Sequence, residues 1–222
     1  MSNKIELKFD TGTDEKIVHD RRTLTTLLAQ KNYIYIRVPR TGSTSISDML
    51  GGTWPHFYAS LVKDLIGKED YEKRFSFASV RNPWDRLVSW YLFNVSDPRA
   101  NTEQSRRYRD LGFKGWIMAS CPYSGHKPHH FAHIPKDPIS QLSWILDKDN
   151  KLIVDKIVKL EEAEKDFESI KTELGLSQIV LSRLNNSPTR KFRNYREYYD
   201  DETREKVMDL YGEDVRYFGY EF

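Results

Sequence analysis

Two apolar runs in the first half of the chain show no alternation, and each leads through a polar, arginine-containing turn into residues at helical spacing. The first is Tyr33, Ile34, Tyr35, Ile36 and Val38. Such a β-rich run predicts a strand buried on both faces of a parallel sheet. Pro39 ends it, the segment Thr41-Gly42-Ser43-Thr44-Ser45 forms a turn, and Ile46, Met49 and Leu50 mark the apolar face of a helix stopped by Gly51 and Gly52. The second run, Phe75, Phe77, Ala78 and Val80, ends at Arg81. Asn82-Pro83 then predicts an N-cap with proline at the first helical position, Asp85 suits a capping box, and Trp84, Leu87, Val88, Tyr91 and Leu92 form a core stripe.

The remaining periodicity is weaker. Residues 1 to about 30 read as a short N-terminal extension, helical over Thr23 to Gln30, and residues 31 to 222 as one domain. Leu61, Val62, Leu65 and Ile66 form an amphipathic stretch that Gly67 terminates. Residues 95 to 140 are polar and punctuated by proline, which suits a substrate-facing insertion. Leu152 to Val158 reads as a strand, and Leu160, Ala163, Phe167, Ile170 and Leu174 as a helix ending at Gly175. Asp200 or Asp201 caps a last helix carrying Val207, Met208, Leu210 and Tyr211. This order predicts a three-layer α/β fold around a central, mainly parallel sheet.

Both strand-to-helix junctions carry groups that suit an anion. After the first strand, Gly42 lets a phosphate approach the main chain, and Arg40 adds a full positive charge. Taken alone, the segment also reads as an ordinary turn whose hydroxyls cap the helix. After the second strand, Arg81 and Ser89 could hold another phosphate through a guanidinium fork and a hydroxyl, while Arg86 is expected to pair with a carboxylate. Together the junctions argue for a nucleotide with two separated phosphate groups.

Strand-PRTGSTS-helix followed by strand-RNPWDRLVSWY-helix resembles the cofactor signature of sulfotransferases that use 3′-phosphoadenosine 5′-phosphosulfate (PAPS), particularly the carbohydrate-type branch. The segments LIVDKIVKLEEAEKDF (152–167), LSRLNNS (181–187) and the tail from 198 to 222 are similar as well, so the likeness covers roughly residues 33–222, weakly over 95–140. The resemblance implies a P-loop-like sulfotransferase fold. It assigns Arg40, Thr41, Gly42, Ser43, Thr44 and Ser45 to the 5′-phosphosulfate, and Arg81 and Ser89 to the 3′-phosphate. The family usually has lysine where this chain has Arg40; arginine stabilises a leaving group by charge and does not readily donate a proton. The GxxxxGK[ST] spacing of a nucleoside triphosphatase is missing.

Sulfuryl transfer to an alcohol needs a base, and histidine suits that role. Related carbohydrate sulfotransferases place one between the corresponding motifs, where this chain has His56; a surface histidine in a Trp-Pro-His turn is the competing reading. His126, His129, His130 and His133 form a second cluster, in which Pro122, Pro128 and Pro135 argue against the continuous helix a metal pair would need. No metal is expected there. A loop lining the acceptor cleft, or an alternative base, fits the cluster better.

Composition changes the picture little. With 35 Lys plus Arg against 33 Asp plus Glu, the net charge of +2 gives no global field for nucleic acid. Arg99, Arg106, Arg107 and Arg109, and Arg190, Lys191, Arg193 and Arg196, read first as solvated charged faces, although the second set could close over the 3′-phosphate. Cys121 alone cannot form an internal disulfide, and neither a membrane span nor a signal-peptide core is visible. The expectation is a cytoplasmic enzyme of bacterial or viral type, or a domain excised from a larger protein, with a carbohydrate or other hydroxyl-bearing acceptor. Two other classes stay open: an ATP-dependent phosphotransferase, which would need Mg²⁺ and carboxylate ligands, and an inactive nucleotide- or glycan-binding module.

Overall fold

From the amino end, the described elements are α1 (Glu15–Gln30), β1 (Tyr33–Ile36), α2 (Ser43–Met49), α3 (Ala59–Ile66), α4 (Lys68–Glu72), β2 (Phe75–Val80), α5 (Pro83–Ser96), α6 (Glu103–Met118), α7 (Leu142–Ile145), β3 (Lys156–Lys159), α8 (Ala163–Leu174) and α9 (Asp201–Phe218). This computed structural model describes residues 15–96, 103–119, 140–176 and 190–222. The chain divides into two units, Met1–Val80 with Lys127–Leu184, and Arg81–His126 with Asn185–Phe222.

The first unit is built on an open parallel sheet in the order β1-β2-β3. All of β1, and β2 from Ser76 to Val80, is buried. Successive side chains of a strand point to opposite faces, so both faces of these strands are covered, as their unbroken apolar runs predict. The fold is α/β. Tyr35 stacks on Phe77 at 4.9 Å, and Tyr33 on Trp54 at 5.7 Å. Phe77 meets Phe167 of α8 edge-on at 6.3 Å. Helix α1 extends further than Thr23 to Gln30 and buries Leu24, Leu27 and Leu28. Helix α3 ends at Gly67 as expected, with Ala59, Val62 and Leu65 inside.

The third strand differs from the sequence expectation. Pairing with β2 begins only at Lys156, because Leu152 bridges Leu146 and the chain turns at Asp155. The Asp155 carboxylate accepts from the Ser76 N–H (2.7 Å) and hydroxyl (2.8 Å), and the Asp155 N–H donates to the Ser76 carbonyl at 2.8 Å.

The second unit is helical and aromatic. Helix α6 kinks at Gly112, whose φ is 64°. The Phe222 ring meets Trp84, Tyr195 and Tyr199 edge-on at 5.4, 5.8 and 5.7 Å. Asp200 caps α9 through a reciprocal box: its carboxylate accepts from the Thr203 N–H (2.9 Å), and the Thr203 hydroxyl accepts from its N–H (3.0 Å). Val207 and Tyr211 are buried, whereas Met208 and Leu210 lie on the outer face of α9.

Candidate active site

Parallel pairing sets the carboxyl ends of β1 and β2 side by side, the end at which open α/β sheets hold ligands. Beyond β1 the backbone is left-handed at Arg40 (φ 66°) and again at Gly42 (φ 71°). Glycine takes that conformation freely, but for arginine it costs about 1–2 kcal/mol, a strain that clusters at ligand-binding turns. Gly42 is the N-cap of α2 and no side chain caps the helix, so the hydroxyls of this turn are not spent on ordinary capping. Ser43 and Ser45 are buried and Thr44 is exposed.

A directed chain of hydroxyls holds the turn from below. Thr41, fully buried, has one hydroxyl hydrogen and gives it to the Val38 carbonyl at 2.8 Å. Its 2.7 Å contact with Ser79 must therefore be a bond donated by Ser79. Ser79 in turn accepts from the Tyr35 hydroxyl at 2.9 Å. Burial pushes the Tyr35 phenol well above its ordinary value, so it stays protonated and donating. The side chain of Thr41 thus fixes the shape of the turn.

His56 is tied to the same strand end. Its Nδ1–H donates to the Arg37 carbonyl at 2.6 Å, and its ring meets Trp144 edge-on at 6.2 Å. A neutral imidazole that donates through Nδ1 carries its lone pair on Nε2. The segment before it is anchored to α2, for the Ser47 hydroxyl donates to the Gly52 carbonyl and accepts from the Trp54 N–H, both at 2.8 Å.

In the second unit, Asn82 caps α5, its side-chain Oδ1 accepting from Trp84 N–H (3.1 Å) and Asp85 N–H (3.4 Å). Asp85 serves two arginines. Its Oδ2 accepts from Arg81 Nε (2.8 Å) and Nη2 (2.6 Å), and its Oδ1 from Arg190 Nη2 (2.6 Å). Arg81, Asp85 and Arg190 are all largely buried, so Arg190 does not belong to a solvated face. Ser89, four residues on, shares the face of α5 with Asp85. Arg86 is buried with its guanidinium over the Trp90 ring at 5.3 Å.

The bonds made by Arg37 and Ser79, and the pairing of Asp85 with Arg190, were not legible in the sequence. A serine inside an unbroken apolar strand is a usable signal, since a buried hydroxyl must find a partner. The cluster His126, His129, His130 and His133, Cys121, Arg99 and the segment 181–187 lie outside the described residues. Arg106, Arg107 and Arg109 on α6 are exposed. Among the described residues no group of three or more His, Cys, Asp and Glu could hold a metal ion, and no helix is long and apolar enough to cross a membrane.

The model of the sulfotransferase family matches residues 25–221, and the chain belongs to that family. An uncharacterized protein of Archaeoglobus fulgidus is 23% identical over 135 residues, which cover 61% of this chain and 96% of that protein. No solved structure matches. Family membership supports sulfuryl transfer as the activity and a hydroxyl-bearing molecule as the acceptor.

Proposed function

We propose that this sulfotransferase moves a sulfuryl group from 3′-phosphoadenosine 5′-phosphosulfate to a hydroxyl of a carbohydrate, with His56 as the general base. The observation that carries the reading is the bond from His56 Nδ1 to the Arg37 carbonyl, which leaves Nε2 as the basic nitrogen. The donor supplies the sulfuryl group already activated as a phosphosulfate anhydride. His56 takes the acceptor's hydroxyl proton at Nε2 as that oxygen bonds to sulfur and the sulfur–oxygen bond to the phosphate breaks. Arg40 stabilises the charge left on the phosphate oxygen without giving up a proton. The backbone turn at Arg40 and Gly42, with the hydroxyls of Ser43, Thr44 and Ser45, orients the phosphosulfate. Arg81 and Ser89 take the 3′-phosphate.

The test is transfer of ³⁵S from labelled donor to a panel of glycans in the presence of EDTA. His56→Ala is expected to lower turnover by about 10²-fold or more, with affinity for 3′-phosphoadenosine 5′-phosphate nearly unchanged. Undiminished turnover in that variant would remove His56 from the mechanism and turn attention to residues 126–133.

A further inference from the structure

Arg37 follows the last residue of β1 and reaches three places at once. Its main-chain carbonyl accepts from His56 Nδ1 at 2.6 Å. Its Nη1 donates to the carbonyl of Trp54, two residues before His56, at 2.8 Å, and its Nη2 donates to the Thr44 hydroxyl at 3.1 Å. Burial lowers the basicity of the guanidinium, and Nε–H is buried with no partner among the described residues. A cation held in this way costs desolvation, and what it gains is the fixed fork that joins two segments. One donor fixes the segment leading to His56 and the other holds Thr44 in the first turn of α2.

The geometry points to Arg37 as a positioning residue that sets the tautomer of His56 and orients the Thr44 hydroxyl. Its guanidinium holds the Trp54 carbonyl, so Pro55 and His56 are carried to a fixed place beside the Arg37 carbonyl. The Nδ1–H bond there keeps the ring's lone pair on Nε2. On the other side, Thr44 accepts from a charged donor, which leaves its own hydroxyl hydrogen for an anion in the turn. The catalytic use of both effects rests on the proposed sulfuryl transfer, but the tautomer itself does not. Lysine cannot replace this residue, because a single ammonium on a flexible stem has no planar fork with which to hold both partners in fixed geometry.

The experiment is a long-range ¹H–¹⁵N spectrum of the whole protein at a pH where the imidazoles are neutral, with His56 assigned by its loss in His56→Ala. The native protein is expected to show His56 as a single Nδ1–H tautomer. Arg37→Ala and Arg37→Lys should both lose that single state and show a mixture, whereas Thr44→Val should keep it. Titration with 3′-phosphoadenosine 5′-phosphate provides the second readout. Arg37→Ala and Thr44→Val should weaken binding by a similar factor, about threefold to tenfold for one charge-polarised hydrogen bond. If Arg37→Ala does not fold, Arg37→Lys decides the matter. Retention of the native tautomer in every folded Arg37 variant, or an Nε2–H tautomer in the native protein, would overturn the assignment. A native protein with the expected tautomer that binds no nucleotide would sink the proposed function and leave the tautomer role of Arg37 standing.

Discussion

Ser79→Ala cuts the hydroxyl chain beneath the turn at its middle. Tyr35, Ser79 and Thr41 are each no more than 2% exposed, so water cannot replace what is lost. The variant removes the Tyr35-to-Ser79 and Ser79-to-Thr41 bonds and strands the Tyr35 O–H in the core. Two neutral hydrogen bonds at about 1 kcal/mol each, with up to about 2 kcal/mol more for the buried donor, predict a loss of about 2–4 kcal/mol. For a chain of this size that corresponds to a fall in Tm of roughly 5–10 °C. The chain's direction gives a sharper test. Tyr35→Phe should cost about 1 kcal/mol in the native background, because Ser79 still donates to Thr41, but should recover up to about 2 kcal/mol in the Ser79→Ala background, where it removes the stranded O–H. Urea denaturation of the four proteins measures both quantities. A cost for Ser79→Ala below about 0.5 kcal/mol, or an equal cost of Tyr35→Phe in the two backgrounds, would refute the directed chain.

Two further perturbations probe the second unit. Asp85→Asn removes the charge shared by Arg81 and Arg190, and should cost about 1–3 kcal/mol in urea denaturation, a loss that persists in high salt because the groups are mostly buried; a cost abolished by salt would mean an ordinary surface pair. Asp200 has its carboxyl held below the ordinary value, chiefly by hydrogen bonding from Lys114 and then from Thr203. Its folded pKa lies below its unfolded one, so its contribution is complete above the ordinary carboxylate value and fades as the pH falls toward the folded value. Asp200→Asn should therefore be less stable than the native protein at neutral pH, with the difference shrinking in acid; a difference independent of pH would refute the assignment.

Local chemistry was legible where one segment decided it. β1 and β2 read correctly because strands covered on both faces leave unbroken apolar runs, and α5 and α9 because Asn82 and Asp200 are cap residues in register with their helices. β3 was placed too early because Leu152 and Ile153 look like strand residues, yet Leu152 bridges Leu146. The partners within the site were hidden for a different reason. His56 is held by a main-chain carbonyl, which leaves no mark in the sequence. Asp85 suited a capping box, but its carboxylate goes to Arg81 and to Arg190, 105 residues away. Arg37 carries no local mark of its role, although its fork reaches residues 44 and 54.

The central claim, that the two junctions serve a sulfuryl donor bearing a 3′-phosphate, is tested most directly by calorimetric titration with 3′-phosphoadenosine 5′-phosphate. Adenosine 5′-phosphate and ATP serve as comparisons, each with EDTA and with Mg²⁺. The account predicts tight, metal-independent binding that is lost when the 3′-phosphate is removed. Absence of binding, or a preference for ATP with Mg²⁺, would contradict it.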